Sequence, residues 1–270
     1  MKILLNNSDL NEALYGVSSL GFIPTMGSLH KGHLSLIKRS LKECKITIVS
    51  IFVNPTQFNN KKDYKKYPRN NRKDLTILKK LNVDFVYLPK KKDIYHSKRK
   101  LMIKLSKNQR ILCAKYRKGH FEGVIDVMDR LTKIINPKRI YMGEKDFQQL
   151  HLVKKHIEKN YKSKVIACQT IRDNNKLALS SRNLLLNKIE LTKAGKLAKH
   201  MMSFKKELLS KKNIKKILSK KMKELNNLYN IDTEYLELRN IFDLRNSNNL
   251  KNSKLFIAYY INKIRLIDNF

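Results

Sequence analysis

Acidic residues are scarce in this chain. Its 270 residues include 22 Asp and Glu against 59 Lys and Arg, for a formal charge of +37 at pH 7. Cysteine is scarcer still. Cys44, Cys113 and Cys168 are odd in number and widely separated, with no metal-ligand or redox spacing. That argues against a disulfide framework and predicts structural thiols in a reducing cytosol. No apolar run approaches the roughly 20 residues of a membrane-spanning helix. The opening "MKILLNNSDLNEAL" is broken by Asn, Asp and Glu too early for a signal peptide. Internal repeats and long linkers are missing. So are the dinucleotide fingerprint G-x-G-x-x-G and the P-loop G-x-x-x-x-G-K-[ST].

The basic surplus admits two readings. Basic chains bind nucleic acid through phosphate contacts. Of the 59 basic residues, however, 46 are Lys and 13 are Arg. A nucleic-acid surface favours clustered Arg, which can make bidentate and stacked contacts. Here lysines run through every segment, as at Lys90, Lys91 and Lys92 or Lys211, Lys212, Lys215 and Lys216. Asn and Ile are abundant too, the mark of A/T-rich codons. Compositional drift is favoured over a nucleic-acid partner, and under either reading a charge this large predicts a strongly salt-dependent surface.

What is present is an ordinary 41% of apolar residues, enough for a sizeable core. Strand and helix patterns alternate over the first two thirds. Apolar runs at Leu20–Pro24, Lys45–Val53, Asp84–Leu88, Arg139–Gly143 and Lys164–Thr170 read as strands. Helical spacing occupies Leu34–Cys44, Asn71–Leu81, Phe121–Ile135 and Asp146–Asn160, and an irregular basic stretch precedes Phe121. Strands joined by helical crossovers imply a parallel α/β sheet. Beyond Thr170 come two Lys-rich helices within 187–228 and then three strands at Thr233–Arg239, Lys254–Ile261 and Ile264–Phe270. We expect a Rossmann-like N-terminal domain, 1–170, and a smaller α+β C-terminal domain, 171–270.

"PTMGSLHKGH" joins the first long strand to its helix. In open parallel sheets ligands sit beyond the carboxyl ends of the strands, where helix N-termini offer free N–H groups to phosphate. Gly27 and Gly32 let a backbone approach a ligand, and His30 and His33 fall on one face of the first turn. One such histidine is more often a cap or a surface residue; two flanking a glycine after a buried strand point to a site.

His30-Lys31-Gly32-His33 resembles the His-x-Gly-His signature of the nucleotidyltransferase superfamily. "PTMGSLHKGH", "VSIFVNPTQF", "YPR", "GHFEGV", "GEKDFQQL" and "LALSSRN" follow in that order. Together they resemble the pantothenate synthetase family, the AMP-forming pantoate–β-alanine ligases of pantothenate biosynthesis. The likeness runs from about Leu20 to Asn183, with "IRLID" near the end.

The resemblance implies a carbon–nitrogen ligase working in two steps. The pantoate carboxylate attacks the α-phosphate of ATP, releasing pyrophosphate. The β-alanine amine then attacks the acyl adenylate, releasing AMP. It implies an ATP site of Met26, Gly27, Ser28, Leu29, His30, Lys31, Gly32 and His33, joined by Gly143, Glu144, Lys145 and Asp146, by Ile171, and by Leu179, Ser180, Ser181 and Arg182. His33 and His30 would donate to developing phosphate charge, with Lys145 and Arg182 as further catalytic cations. Gln57, Gln149 and Asn54 would hold pantoate and β-alanine. The Leu179–Arg182 loop would close over the phosphates, with a serine helix cap as its plainer role. Mg²⁺ would accompany ATP, with Asp74 as its candidate contact. A cytoplasmic homodimer is expected.

Two departures stand out: residues 6–20 are short for the family, and Lys176 stands where a glycine is usual. Another nucleotidyltransferase and a basic nucleic-acid-binding protein are the alternatives; Gln57, Gln149 and "SSRN" speak against the first.

Overall fold

The structure is a computed structural model that describes residues 1–95, 103–208 and 213–270. Part of the irregular basic stretch, 96–102, and the Lys211–Lys212 part of one lysine run lie outside the described residues. The chain forms two compact units. One comprises Met1–Glu144 and Gln149–Gln169, the other Lys145–Gln148 and Thr170–Phe270.

The larger unit alternates strand and helix. In order it runs β1 (Lys2–Leu4), α1 (Asn7–Leu14), β2 (Leu20–Thr25), α2 (Lys31–Glu43), β3 (Ile46–Ile51), α3 (Lys61–Lys66), α4 (Asn71–Lys80) and β4 (Phe85–Tyr87). Then come α5 (Lys91–Ile94), α6 (Cys113–Tyr116), α7 (His120–Ile135), β5 (Arg139–Gly143), α8 (Phe147–Asn160) and β6 (Lys164–Cys168). Its six strands are ordered β1-β4-β3-β2-β5-β6 and every pairing is parallel. From β2 the chain steps outward through β3 to β4, then crosses back to add β5 on the other side of β2. The reversal falls between β2 and β5, where open sheets bind ligands.

The β-branched run of β3 is buried on both faces, as a central parallel strand requires. Ile23, Ile37, Val49, Leu78, Val83 and Val86 join strands and helices in one core. A Cβ on Gly21 would stand 2.1 Å from Ser40 Oγ, so glycine lets α2 lie close against β2. Ser40 Oγ and Thr47 Oγ1 share a hydrogen bond of 2.8 Å at that contact.

The smaller unit holds α9 (Lys188–Glu207), α10 (Ile214–Tyr229), β7 (Asp232–Asn240), β8 (Ser253–Ile261) and β9 (Ile264–Asn269). The strands form an antiparallel sheet, with Leu236 opposite Ile257 and Ala258 opposite Ile267. Its core unites Leu197, Met201, Phe204, Leu225, Leu255 and Ile257. The fold is therefore a Rossmann-like parallel α/β sheet with a smaller α+β unit.

Two differences from the sequence reading have physical causes. The edge strand β1 is three residues long and too short to show a period. Helix α2 begins at Lys31, a turn before its apolar spacing, because its first turn is held by histidine caps rather than by core contacts. All three cysteines are buried thiols outside any disulfide. Among the described residues no helix is long and apolar enough to cross a membrane.

Candidate active site

At the end of β2 the chain turns sharply. Thr25 Oγ1 donates to the Ser50 carbonyl at 2.8 Å and accepts from Gly27 N–H at 3.2 Å. Gly27 and Ser28 then take φ of +81° and +52°, the left-handed region. Glycine suits the first position twice over, since a Cβ there would also meet Asp74 Oδ2 at 3.0 Å. Ser28 lacks that freedom, and holding an L-residue left-handed costs about 1–2 kcal/mol.

Asp74 offsets that strain. Its Oδ2 accepts from Ser28 N–H and its Oδ1 from Leu29 N–H, each at 2.8 Å. The carboxylate sits on the first turn of α4 and is 1% exposed. Charge-assisted bonds of this kind are about twice as strong as neutral ones. The metal contact expected at Asp74 finds a different arrangement: both oxygens already accept loop amides in a buried setting, so the residue acts as a clamp on the loop.

The histidines follow at once. His30 is the N-cap of α2 and His33 its third residue. His30 Nδ1 accepts from Gly32 N–H at 3.1 Å, and His33 Nδ1 accepts from His30 N–H at 3.3 Å. Their ring centroids are 4.1 Å apart and tilted by 39°. A neutral imidazole whose Nδ1 accepts must carry its proton on Nε2. Both rings thus hold Nε2–H donors at a helix N-terminus, where free amides and the helix dipole favour an anion.

A polar wall forms beyond β3. Asn54 caps a short 3₁₀ turn, Pro55–Gln57, and is 1% exposed. Its Oδ1 accepts from the Thr56 N–H at 3.3 Å and from the Tyr95 hydroxyl at 2.8 Å. Its Nδ2 donates to the Gly123 carbonyl at 3.2 Å and to Gln57 Oε1 at 3.3 Å. The Gln57 amide reaches Met26 Sδ at 2.9 Å, which ties this wall to the histidine loop. A Cβ at Gly123 would stand 2.5 Å from the Thr56 carbonyl oxygen, so α7 approaches the turn only because glycine is there.

Sequence reasoning gave no role to Tyr95 or His120. His120 Nδ1 lies 2.7 Å from the Gln57 carbonyl oxygen, and its Nε2 lies 2.7 Å from Arg117 Nη1. An arginine can only donate, so Nδ1 carries the proton and donates to Gln57. The intact "GHFEGV" motif was the available signal for His120 and Gly123. Burial pushes the Tyr95 hydroxyl pKa up, keeping it a donor to Asn54.

β5 ends at Gly143, where a Cβ would meet no atom within 4 Å. Glu144 follows within a 3₁₀ turn, and Gln149 lies half-buried on α8.

The remaining predicted residues belong to the smaller unit. Lys145 Nζ pairs with Asp146 Oδ1 at 3.7 Å, and the Lys145 carbonyl accepts from Asn269 Nδ2 at 2.9 Å. Asp146 closes the 3₁₀ turn before α8. Ile171 accepts through its carbonyl from Leu179 N–H at 3.0 Å, closing a turn at whose tip Lys176 takes φ +70°. Arg172 braces the turn: it donates to the Lys176 carbonyl at 2.9 Å and grips both oxygens of buried Asp268 at 2.7 and 2.8 Å. Burial outweighs this pairing and raises the Asp268 pKa. Ser180 caps the 3₁₀ turn Ser181–Leu185 by accepting from Arg182 N–H at 3.2 Å, the plainer role foreseen for it. Ser181 is buried beside it.

A parallel sheet whose switch point carries a histidine-capped helix N-terminus is an α/β fold with a site suited to an anion, as its resemblance to the nucleotidyltransferases implies. The family follows from comparison with known proteins. The model of the pantoate-beta-alanine ligase family matches residues 3–270, and the chain belongs to that family. It is similar to the pantothenate synthetase of Flavobacterium psychrophilum, at 40% identity over 96% of this chain and 94% of the relative. It is 40% identical to that of Helicobacter acinonychis over 100% of this chain and 99% of the relative. Among solved structures, Thermus thermophilus pantothenate synthetase superposes with a TM-score of 0.91 at 29% identity, covering 100% of this chain and 99% of that one. Pantoate-beta-alanine ligase from Francisella tularensis, complexed with beta-gamma ATP and beta-alanine, gives 0.84 at 37% identity over 100% and 97% of the two chains.

Proposed function

We propose that this chain joins pantoate to β-alanine at the expense of ATP, forming pantothenate through a pantoyl adenylate. The observation that carries this reading is the pair of histidines at the start of α2, at the switch point of the sheet, whose Nδ1 atoms accept within the helix cap and so fix the proton on Nε2. The relative from Francisella tularensis, which binds beta-gamma ATP and beta-alanine, supports it.

Two anions must meet in the first step. The pantoate carboxylate attacks the α-phosphorus, the bond to the bridging oxygen breaks, and pyrophosphate leaves. Negative charge grows on the phosphate oxygens as this happens. His33 Nε2–H, assisted by His30, donates to that charge, and removing one such preorganised donor typically costs about 10²–10³ in rate. Lys145 and Arg182 supply positive charge to the phosphates. Gln57, Gln149 and Asn54 hold pantoate through neutral amides, which bond hydroxyls and a carboxylate without adding charge. Gly143 lets the backbone approach adenosine, and the Ile171 backbone meets adenine.

In the second step the β-alanine amine attacks the acyl carbon and the acyl–phosphate bond breaks, releasing AMP. Freeing the amine of its proton near pH 7 costs roughly 4–5 kcal/mol for a Lys-like pKa. No carboxylate among the matched motifs serves as a base, so positioning and a good leaving group carry this step.

Residues 1–170 are assigned to nucleotide and pantoate, and 171–270 are assigned as a small lid domain. ATP would bring Mg²⁺. Among the described residues no cluster of three or more His, Cys, Asp or Glu is arranged to hold a metal, and Asp74 is occupied by the loop. The ion would rest on phosphates and water, as Mg²⁺ commonly does. A cytoplasmic homodimer with no nucleic-acid partner completes the proposal.

With ATP, Mg²⁺, pantoate and β-alanine, the purified protein should release AMP only when both organic substrates are present. A folded protein that releases none would overturn the assignment.

A further inference from the structure

The smaller unit contains a cavity of about 810 Å³ lined by none of the residues assigned to the reaction. Ligand sites usually measure roughly 300–1,000 Å³ and pair an apolar lining with a few polar anchors. Here the apolar walls are Met202 and Leu208 from α9, Ile214 from α10, Leu250 from the loop before β8, and Phe270 after β9. Among the described residues its charged lining is entirely cationic: Arg172, Lys205, Lys206 and Lys251.

These four cations are not equivalent. Arg172 is already paired through two hydrogen bonds to Asp268, and its guanidinium lies 4.8 Å from the centre of the Phe270 ring. Among the described residues no carboxylate pairs with Lys205, Lys206 or Lys251. Lys206 and Lys251 are exposed, and water can solvate them. Lys205 is half-buried at the cavity wall. Burial and the nearby charge of Lys254 both push its pKa down. A desolvated ammonium with a like charge near it and no counterion is an unfavourable arrangement, unless an anion is bound there.

We propose that this cavity binds an organic anion with an aliphatic body, its carboxylate or phosphate head on Lys205 and Lys251 and its body along Met202, Ile214 and Phe270. The apolar walls distinguish such a ligand from inorganic ions drawn loosely to a basic surface. None of its lining residues is among those assigned to the reaction, and the proposal stands or falls independently of the ligase reading.

Calorimetric titration of the full-length protein at physiological ionic strength tests this. The probes are octanoate and octyl phosphate, with acetate and inorganic phosphate as heads without bodies. At least one long-bodied anion should bind saturably at one site, about tenfold or more tighter than its bare head. Comparing the two shows which head is preferred. Lys205→Met should weaken binding about tenfold while melting no lower than the parent, and Lys80→Gln on α4 should leave it unchanged. Lys251→Met, on the exposed loop, repeats the measurement without altering α9. Equal binding of bare heads, absence of saturation, or unchanged affinity in both Lys205→Met and Lys251→Met would overturn the proposal.

Discussion

The Gly27–His33 turn and the Arg172–Arg182 turn both take the chain through left-handed backbone, but they hold it there differently. In the first, Ser28 at φ +52° is gripped by a buried carboxylate, and the next polar groups are used by a histidine cap. In the second, Lys176 at φ +70° is exposed at a turn tip and held through its carbonyl by Arg172. Burial is what separates them. The first turn has its geometry imposed from outside by α4 and β3, so its donors are preorganised. The second is braced from within, by its own backbone, by Arg172 and by the Asp173 carboxylate, which accepts from Leu177 N–H at 2.9 Å.

His33 is the sharpest test of preorganisation. His33→Ala should lower turnover about 10²–10³-fold with an unchanged melting temperature. His33→Gln, whose amide places a donor near Nε2, should retain more activity than His33→Asn, whose amide reaches only Nδ1. The opposite order would show that the cap does not fix which nitrogen donates.

Asp74→Asn tests the clamp. Its amide would turn a donor toward a loop N–H and leave it unsatisfied, at about 1–3 kcal/mol. A fall in melting temperature together with a drop in kcat is expected; lost stability with full turnover would limit Asp74 to a structural role. Gly123→Ala drives a Cβ into the Thr56 carbonyl and should cost a similar 1–3 kcal/mol, raising the KM for pantoate more than that for ATP.

Effects in the smaller unit should be milder. Lys176→Gly should stabilise the protein by up to about 1 kcal/mol in denaturant titration, because the turn already has glycine's backbone angle. Lys205→Met should raise the melting temperature at neutral pH. The folded state disfavours the Lys205 ammonium, so the penalty is present while the lysine is protonated and fades as pH rises toward its ordinary 10.5. The gain should shrink over that same range.

Some of the local geometry at the candidate site follows from continuous motifs. His30 and His33 make their cap within four residues, and Ser180 and Arg182 make theirs within three. Asp74 was legible as a residue of interest but not as a clamp, since its partners lie 45 and 46 positions away. Tyr95 and His120 reach Asn54 and Gln57 across similar gaps and left no mark in local spacing. Strand β1 escaped notice because its pairing with β4, rather than its own three residues, makes it a strand.

Alone, the sequence determined the alternation of buried strands and amphipathic helices, the parallel α/β class, and which short segments carry donors for an anion. Those properties depend on residues within a turn or two of one another. The tertiary structure decided which imidazole nitrogen holds the proton, what Asp74 grips, why Gly21 and Gly123 must lack side chains, and where an uncompensated lysine meets a cavity. Each of these depends on groups that are distant in the chain and are brought within a few ångströms only when the sheet and its helices pack.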